Sequence, residues 1–186
     1  MRIHQVASAL MATSLVALAA STSYAEIVVT ANDGKMVLEN GVGIVRKQPL
    51  PDTVSVIDFT DGALKLLGEV AAPASVVGPP PSVAIAPDGA FALVTGAMKL
   101  DPTDATKTVP DDKLSVIDLK STPPKVLATL QAGAGAAGVS INRAGTLALV
   151  ANRSEGTVSI FTISGSTLTA GGKIQQIGRA SCRERV

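Results

Sequence analysis

The sequence predicts an all-β chain built from a repeated four-stranded unit, and three observations lead to that prediction. One pattern of alternating apolar and small polar side chains, typical of a β-strand, occurs three times: DTVSVIDF at 52–59, DKLSVIDL at 112–119 and GTVSIFTI at 156–163. Another shared segment precedes each copy. After residue 25 no long run of helical period occurs, which argues against alternating strands and helices. Consecutive units of four short antiparallel strands are the blades of a β-propeller.

Each predicted blade contains an inner strand, a second strand, the SVID-type third strand and a fourth strand that leads to the next blade. The second strands are IVVTAND, FALVTGA and LALVANR, which begin at residues 27, 91 and 147. Inner strands precede the last two of these, and fourth strands follow the first two SVID copies. Asp88-Gly89 and Ala144-Gly145 stand where two-residue hairpin turns are expected, because glycine supplies the positive φ that such turns need. The expected blades are 26–80, 81–136 and 137–176.

The repeat resembles a known one at GVSINRAGTLA followed by LVANRSEGTVSIF, which is similar to the YVTN repeat of bacterial β-propellers. PDGAFALVTG with KLSVIDL reads as a second, interrupted copy, and VVTAND with DTVSVIDF as a degenerate first one. The resemblance covers nearly all of 26–176. It implies a ring of seven blades, as in the lactonase-like members, so that about three blades would be a truncated part of the ring. It transfers no catalytic residue to this sequence.

The two ends of the chain read differently from the repeats. Residues 1–25 carry a positive residue, an Ala-rich apolar stretch and small residues at 23 and 25, which predicts a cleaved signal peptide and a periplasmic or secreted product. The stretch is too short and too polar for a spanning helix, so no stable membrane insertion is expected after cleavage. Residues 177–186, IGRASCRERV, match one reading frame of a common sequencing adapter and are interpreted as a non-native scar rather than a basic tail.

The composition between the two ends excludes several kinds of chemistry. His4 and Tyr24 lie in the predicted signal and Cys182 in the tail, so 26–176 contains no His, Cys, Tyr or Trp. A Ser-His-Asp or Cys-His catalytic site and a His/Cys metal site are therefore excluded within this segment. It holds 12 Lys and Arg against 14 Asp and Glu, which gives no basic surface for nucleic acid. We therefore expect no nucleic-acid partner, and no cofactor is identifiable.

Two inserts between second and third strands are the candidate ligand-facing parts of the chain. The first, 34–51, is net basic through Lys35, Arg46 and Lys47 against Glu39, and the second, 98–111, carries three aspartates followed by a fourth. Those aspartates are Asp101, Asp104, Asp111 and Asp112. Clustered carboxylates bind calcium, but the spacing matches no calcium loop, so no metal site is assigned and solvated acidic loops remain the alternative. Opposite charges on the two inserts could pair across the adjacent blades.

Three smaller motifs receive structural interpretations. Gly133–Gly138 fits the GxGxxG pattern, but a strand rather than a helix is expected to follow it, so it is read as an interblade crossing and not a dinucleotide site. Asp58 and Asp118 recur at the end of the SVID strand, where a turn-capping hydrogen bond is expected. Thr162 replaces them in the third copy and is expected to accept a similar bond.

These observations predict an exported propeller that binds a small molecule or a protein on the face formed by the inserts and interblade loops. The alternative is an enzyme, either a lactonase-like hydrolase or a quinoprotein-like oxidoreductase, whose active site needs blades outside this sequence. The catalytic residues of such an enzyme are unknown from 26–176. The sequence leaves open which of these functions the protein has.

Overall fold

The computed structural model describes residues 26–75 and 82–175, with the side chain of Asp61 left aside. The predicted signal at 1–25 and the predicted scar at 177–186 lie outside these residues. The described chain is β-structure joined by turns, with one short 3₁₀ turn at Thr60–Gly62. Its strands, in chain order, are β1 Ile27–Asn32, β2 Met36–Glu39, β3 Val42–Val45, β4 Thr53–Asp58, β5 Lys65–Ala71, β6 Val83–Ile85, β7 Phe91–Leu100, β8 Thr108–Asp118, β9 Lys125–Gln131, β10 Ala136–Ile141, β11 Leu147–Asn152, β12 Thr157–Ser164 and β13 Thr167–Gln175.

In the described residues, three antiparallel sheets follow one another along the chain, and β2 and β3 form a separate two-stranded sheet. Blade 1 has the order β1-β4-β5, blade 2 the order β6-β7-β8-β9 and blade 3 the order β10-β11-β12-β13. The third and fourth strands of every blade share a register shift, after Val56, Val116 and Ile160. An extra residue in the outer strand strengthens its twist, so the three units repeat in geometry as well as in sequence. The prediction of an all-β fold made of propeller blades is confirmed.

The hydrophobic core lies between neighbouring blades. One cluster joins blades 2 and 3 and includes Leu93, Leu114 and Phe161, while another joins blades 1 and 2 and includes Val54 and Val94. Leu93 and Val94 are adjacent in β7 and belong to different clusters, because successive side chains of a strand point to opposite faces. Blade 2 therefore has both faces covered. Apolar alternation in the second and third strands is what lets the blades stack.

The turns differ from the sequence prediction in length. Ala86 donates its N–H to the Phe91 carbonyl at 2.9 Å across a four-residue loop, so the predicted two-residue turn at Asp88-Gly89 is wrong. Gly89 nevertheless has the expected positive φ of 64°. Asn142 and Leu147 close the matching loop of blade 3 in the same way, at 2.9 Å. A type I turn followed by a left-handed residue also reverses a hairpin, and it needs glycine at its last position only.

Both inserts are ordered hairpins. The first contains β2 and β3, joined by Asn40-Gly41, whose φ angles of 51° and 80° are those of a two-residue type I′ turn. The second insert extends β7 and β8 beyond the sheet, so that Leu100 pairs with Thr108. Each insert therefore projects from its blade as a two-stranded arm.

Candidate functional site

The inserts and the interblade crossings meet at one end of the sheets, which we call the insert end. In blade 1, the Lys35 ammonium of the first insert donates to the carbonyl of Ala74, in the crossing to blade 2. In blade 3, the Arg153 N–H donates at 2.8 Å to the carbonyl of Gly135, in the crossing from blade 2. Links between second and third strands thus lie against the crossings, as the sequence analysis assumed for its ligand-facing side.

A side-chain amide closes the insert end between blades 2 and 3. Asn152, the last residue of β11, donates from Nδ2 to Thr157 Oγ1 at 2.8 Å and to Ser159 Oγ at 2.9 Å. Its Oδ1 accepts the Gly133 N–H of the crossing at 2.9 Å. Asn32 ends β1 in the same way and donates to Thr53 and Ser55. The asparagine of the repeat therefore ties the second strand to the third, and in blade 3 it also fixes the crossing.

Blade 2 departs from this arrangement at Gly96. Gly96 pairs with Lys113 as Asn152 pairs with Thr157, and it therefore occupies the asparagine position. Pro73 of the crossing lies against it, because a Cβ on Gly96 would be only 2.9 Å from the Pro73 Cβ. Proline has no N–H for an asparagine oxygen to accept. Ser115 is the counterpart of Ser159, and its buried Oγ has no hydrogen-bond partner among the described residues.

An open cleft of about 430 Å³ lies at this altered corner, between blades 1 and 2. The cleft is shallow and largely open to solvent. The described lining residues come from the inserts, the ends of strands at the insert end and the crossing between the blades. The lining residues are Lys35, Leu50, Asp52, Ala71, Ala72, Pro73, Lys99, Leu100 and Asp111.

The ammonium group of Lys35 is buried in one wall of the cleft and is fully engaged. Only 5% of its side chain is exposed. Its Nζ lies 2.7 Å from Asp52 Oδ2 and 3.3 Å from Asp33 Oδ1, and it also donates to the Ala74 carbonyl. Asp52 in turn accepts the N–H groups of Gly34 at 3.0 Å and Ala74 at 3.2 Å. A buried charge with this many partners is a structural anchor, which fixes the first insert to the crossing.

Asp111 and Lys99 face each other in the wall that belongs to blade 2. The Asp111 side chain is 5% exposed, and its Oδ1 lies 3.6 Å from the Lys99 Nζ. That distance is too long for a hydrogen bond, and among the described residues Oδ1 has no hydrogen-bond partner. The Lys99 side chain is 52% exposed, so the ion pair has one buried and one solvent-accessible member. This wall of the cleft therefore carries an ion pair whose lysine is accessible to solvent and whose carboxylate is buried.

The neighbouring Asp112 belongs to a different network. Lys113 donates to its Oδ1 at 2.8 Å and Gln131 to its Oδ2 at 2.6 Å. These bonds, Lys113 first, lower the pKa of the Asp112 carboxyl below its ordinary value. The same ion pair raises the pKa of Lys113. Asp112 is thus held ionised and hydrogen-bonded, and of the two carboxylates only that of Asp111 belongs to the cleft lining.

The other aspartates of the second insert serve its turn. Asp101 accepts the N–H of Thr103 at 2.8 Å, and Asp104 accepts that of Thr106 at 3.0 Å. Hydrogen bonds from the hydroxyl and the N–H of Thr103 lower the pKa of Asp101. Hydrogen bonds from Lys107 and Thr106 lower the pKa of Asp104. Within residues 26–75 and 82–175, no three metal-type side chains converge.

Charge pairing between the two inserts, which the sequence left open, does not occur in the described part of the chain. Lys35 pairs with Asp33 and Asp52 of its own blade, and Asp111 pairs with Lys99 of its own hairpin. Arg46, Lys47 and Glu39 are exposed on the first insert, away from the cleft lining. The buried charges of Lys35 and Asp111 are therefore each paired within their own blade.

The smaller motifs have the structural roles expected of them, with one exception. Strand β10 begins at Ala136, so Gly133–Gly138 leads into a strand. Asp58 accepts the Thr60 N–H at 2.8 Å, and Asp118 accepts the Lys120 N–H at 2.8 Å. Thr162 behaves differently, because its Oγ1 donates to the Thr169 carbonyl at 3.4 Å; the expectation that it accepts a turn bond was wrong.

Lys99 and Asp52 were not singled out from the sequence as site residues, although both line the cleft. The replacement of the repeat's asparagine by Gly96 was visible in the sequence, and it was the signal that blade 2 differs at this end. What the replacement does became evident only with Pro73, because the two residues are 23 positions apart and touch through the crossing.

Comparison with solved structures finds the same fold at low sequence identity. A candidate 6-phosphogluconolactonase from Bacteroides fragilis NCTC 9343 matches with TM-score 0.52 at 19% identity, over 80% of this chain and 38% of that one. Another, from Bacteroides uniformis ATCC 8492, matches with TM-score 0.52 at 14% identity, over 80% and 40%. A functionally unknown protein from Desulfotomaculum acetoxidans DSM 771 matches with TM-score 0.50 at 17% identity, over 82% and 42%.

These similarities concern the fold, and this chain spans about two fifths of the length of each of the three structures. No protein-family model and no curated protein matches the chain. A helix long and apolar enough to cross a membrane does not occur in residues 26–75 or 82–175. The chain therefore has the architecture of part of a β-propeller related in fold to lactonase-like proteins.

Proposed function

We propose that this chain is part of an exported, YVTN-type β-propeller that binds a small ligand in the cleft between blades 1 and 2. One observation carries the proposal: Asn152 closes the insert end between blades 2 and 3, whereas the same corner between blades 1 and 2 is an open cleft lined by the charged pair of Asp111 and Lys99. A few charged groups beside apolar walls are the usual lining of a small-molecule site, where they orient a polar ligand. The export follows from the predicted signal at 1–25.

The proposal is tested with a thermal-shift screen of the full-length protein against a library of small metabolites. Ala71 lines the cleft and is exposed, so Ala71→Trp fills the cleft from its rim. Ala63→Trp is the matched control, because Ala63 is exposed and outside the cleft. A stabilising compound whose effect is lost in Ala71→Trp and kept in Ala63→Trp supports a binding cleft. A compound that stabilises both variants equally binds elsewhere and contradicts it.

A lactonase-like hydrolase is the second candidate, favoured by the names of two solved structures of the same fold. The carboxylate of Asp111 and the ammonium of Lys99 are the groups that the cleft could offer to a lactone. Acid release from sugar lactones, followed in a pH-stat, tests this activity in the full-length protein. Turnover that Asp111→Asn abolishes would support the hydrolase, and turnover that survives it would place the reaction outside this cleft.

A further inference from the structure

The turn at the tip of the first insert has a chemistry that the cleft does not use. Asn40 and Gly41 join β2 to β3, and Glu39 pairs with Val42 on either side of them. Both turn residues are exposed. A Cβ placed on Gly41 would meet nothing within 4 Å. The turn therefore has open space around the side-chain amide of Asn40 and around the main chain that follows it.

The amide of Asn40 differs from those of the other three asparagines of the chain, all of which lie within the described residues. Asn32 and Asn152 donate to hydroxyl groups of the third strands. Asn142 is exposed like Asn40, but its Oδ1 accepts the N–H of Thr146 at 2.8 Å. The Asn40 amide makes no hydrogen bond within residues 26–75 and 82–175. It can therefore turn toward its own main chain without breaking one.

The residue after an asparagine determines whether the main chain can attack the side-chain amide. The attacking atom is the backbone nitrogen of that next residue, and a side chain on it obstructs the approach. Gly41 follows Asn40, whereas the other three asparagines are followed by Asp33, Arg143 and Arg153. Gly41 also makes no backbone hydrogen bond through its N–H in the part of the chain that the structure describes. Nucleophile and carbonyl carbon are thus both unhindered at this turn.

We propose that Asn40 is a site of spontaneous modification, at which its side-chain amide is converted to a carboxylate. The Gly41 nitrogen loses its proton to hydroxide and attacks Asn40 Cγ. The new N–C bond closes a five-membered succinimide, and the amide nitrogen leaves as ammonia. Water then adds to one of the two ring carbonyls and opens the ring, which gives either aspartate or isoaspartate. The reaction is independent of the proposed ligand cleft, whose lining includes neither residue.

The two products should affect the hairpin differently. Its type I′ turn has φ angles of 51° at Asn40 and 80° at Gly41, and aspartate before glycine adopts the same turn. The aspartate form should therefore keep the hairpin and add a negative charge next to Glu39. Isoaspartate adds a carbon atom to the main chain of a turn that has only two residues. We expect that form to lose the pairing of Glu39 with Val42.

The test is peptide mapping by mass spectrometry of the full-length protein during storage in mildly alkaline buffer. The peptide with Asn40 should gain the mass of an amide-to-acid conversion at least about tenfold faster than the peptides with the other three asparagines, because those must first break hydrogen bonds. The rate should rise with pH, since the attacking nitrogen must lose a proton. Conversion of another asparagine first, or of all four at one rate, would overturn the inference.

The products and two variants identify the attacking atom. Attack by Gly41 gives isoaspartate as well as aspartate, whereas direct hydrolysis by water gives aspartate alone, so a product without isoaspartate would contradict the mechanism. Asn40→Gln keeps the amide but needs a six-membered ring for closure, and it should abolish conversion at this peptide. Gly41→Ala places a methyl group beside the attacking nitrogen and should slow conversion. An unchanged rate in either variant would show that the main chain at Gly41 does not attack Asn40.

Discussion

At the scale of single residues, the two blade boundaries have a large and a small residue in contact, but the large residue lies on the strand at one boundary and on the crossing at the other. Between blades 2 and 3 the crossing has Gly133 and the second strand ends in Asn152, whose amide accepts the glycine N–H. Between blades 1 and 2 the crossing has Pro73 and the second strand has Gly96. Between blades 1 and 2 the larger side chain therefore belongs to the crossing and not to the strand. Because proline lacks an N–H, the backbone-to-amide hydrogen bond seen at Gly133 cannot form there.

The exchange predicts strong coupling between Pro73 and Gly96. Gly96→Asn alone should destabilise the protein by about 1–3 kcal/mol, because its Cβ would collide with Pro73. Pro73→Gly alone should cost about 0.4–1 kcal/mol through the unfolded state. In the double variant the introduced amide reaches the Ser115 hydroxyl and the new glycine N–H, so the combined loss should be smaller than the sum by about 1 kcal/mol or more.

Chemical denaturation of the full-length protein, its two single variants and the double variant gives this coupling as a double-mutant cycle. Strictly additive losses would show that the two positions do not share a packing site.

A second residue-scale prediction concerns pH. Lys173 donates to Glu155, and so does the Ala134 N–H of the crossing; these bonds, Lys173 first, lower the pKa of Glu155 below its ordinary 4.5. A carboxyl with a lowered pKa in the folded state stabilises it above the unfolded value, and the stabilisation is lost as pH falls through the folded pKa. Glu155→Gln should therefore lower Tm at pH 7, and its deficit should shrink as pH falls below 4.5.

Thermal unfolding between pH 7 and pH 3 measures that deficit in the full-length protein. Glu39→Gln is the matched control, because Glu39 is exposed on the first insert, and it should follow the unsubstituted protein at every pH. A deficit for Glu155→Gln that stays constant or grows in acid would contradict the assigned role of the ion pair.

At the scale of elements, the sequence predicted the strands well and their connections less well. The three SVID copies alternate apolar and polar side chains, and such alternation indicates a strand with one buried face. Because this pattern is local in sequence, it was enough to predict the blades. The first insert was expected only as a link, although its Asn40-Gly41 pair is a strong hairpin signal and β2 and β3 flank it. The sequence did not show that Lys35 turns inward to Asp52, because that contact depends on how the hairpin meets the crossing.

The hairpin formed by β2 and β3 is predicted to be dispensable for folding. Leu38 and Val42 are 58% and 62% exposed, so the hairpin buries little apolar surface in the described residues. Its base is fixed separately by Lys35 and Asp52. Replacing residues 37–44 with two glycines should change the unfolding free energy by less than about 1 kcal/mol, since loop length has a weak effect on stability.

Thermal unfolding of the shortened full-length protein measures this effect. Lys35→Met is the informative companion, because it removes a buried partner of two carboxylates and should cost about 3–5 kcal/mol. Equal losses in the two variants would show that the anchor has no special role.

At the scale of the whole molecule, the three blades differ in how many of their faces are covered. The first seven residues of β7 in blade 2 are buried without alternation. Strand β11 of blade 3 has a similar sequence, but its burial alternates, and Leu149 is 40% exposed. Val28 of β1 is 41% exposed on blade 1. The two outer blades thus present apolar residues of the kind that neighbouring blades cover in blade 2.

This difference predicts that residues 26–176 do not fold stably alone. A repeat protein buries its core between neighbours, and a terminal unit without a polar outer face promotes aggregation. The isolated segment should bind a hydrophobic dye strongly and elute as aggregates in size-exclusion chromatography. A monomer without dye binding and with a sharp cooperative unfolding transition would contradict the prediction.

We propose that these three blades belong to a larger closed ring. The chain spans 38–42% of the matched solved structures, and its resemblance to the YVTN repeat implies seven blades. In blade 1 the described sheet begins with a second strand, so we predict that a segment from elsewhere in the ring pairs with β1 as its inner strand.

The most direct test is to sequence the gene beyond codon 176. We expect that the reading frame does not encode IGRASCRERV, continues through about four more four-stranded repeats and ends with a strand that fits beside β1. A natural frame that encodes IGRASCRERV and then stops would contradict it.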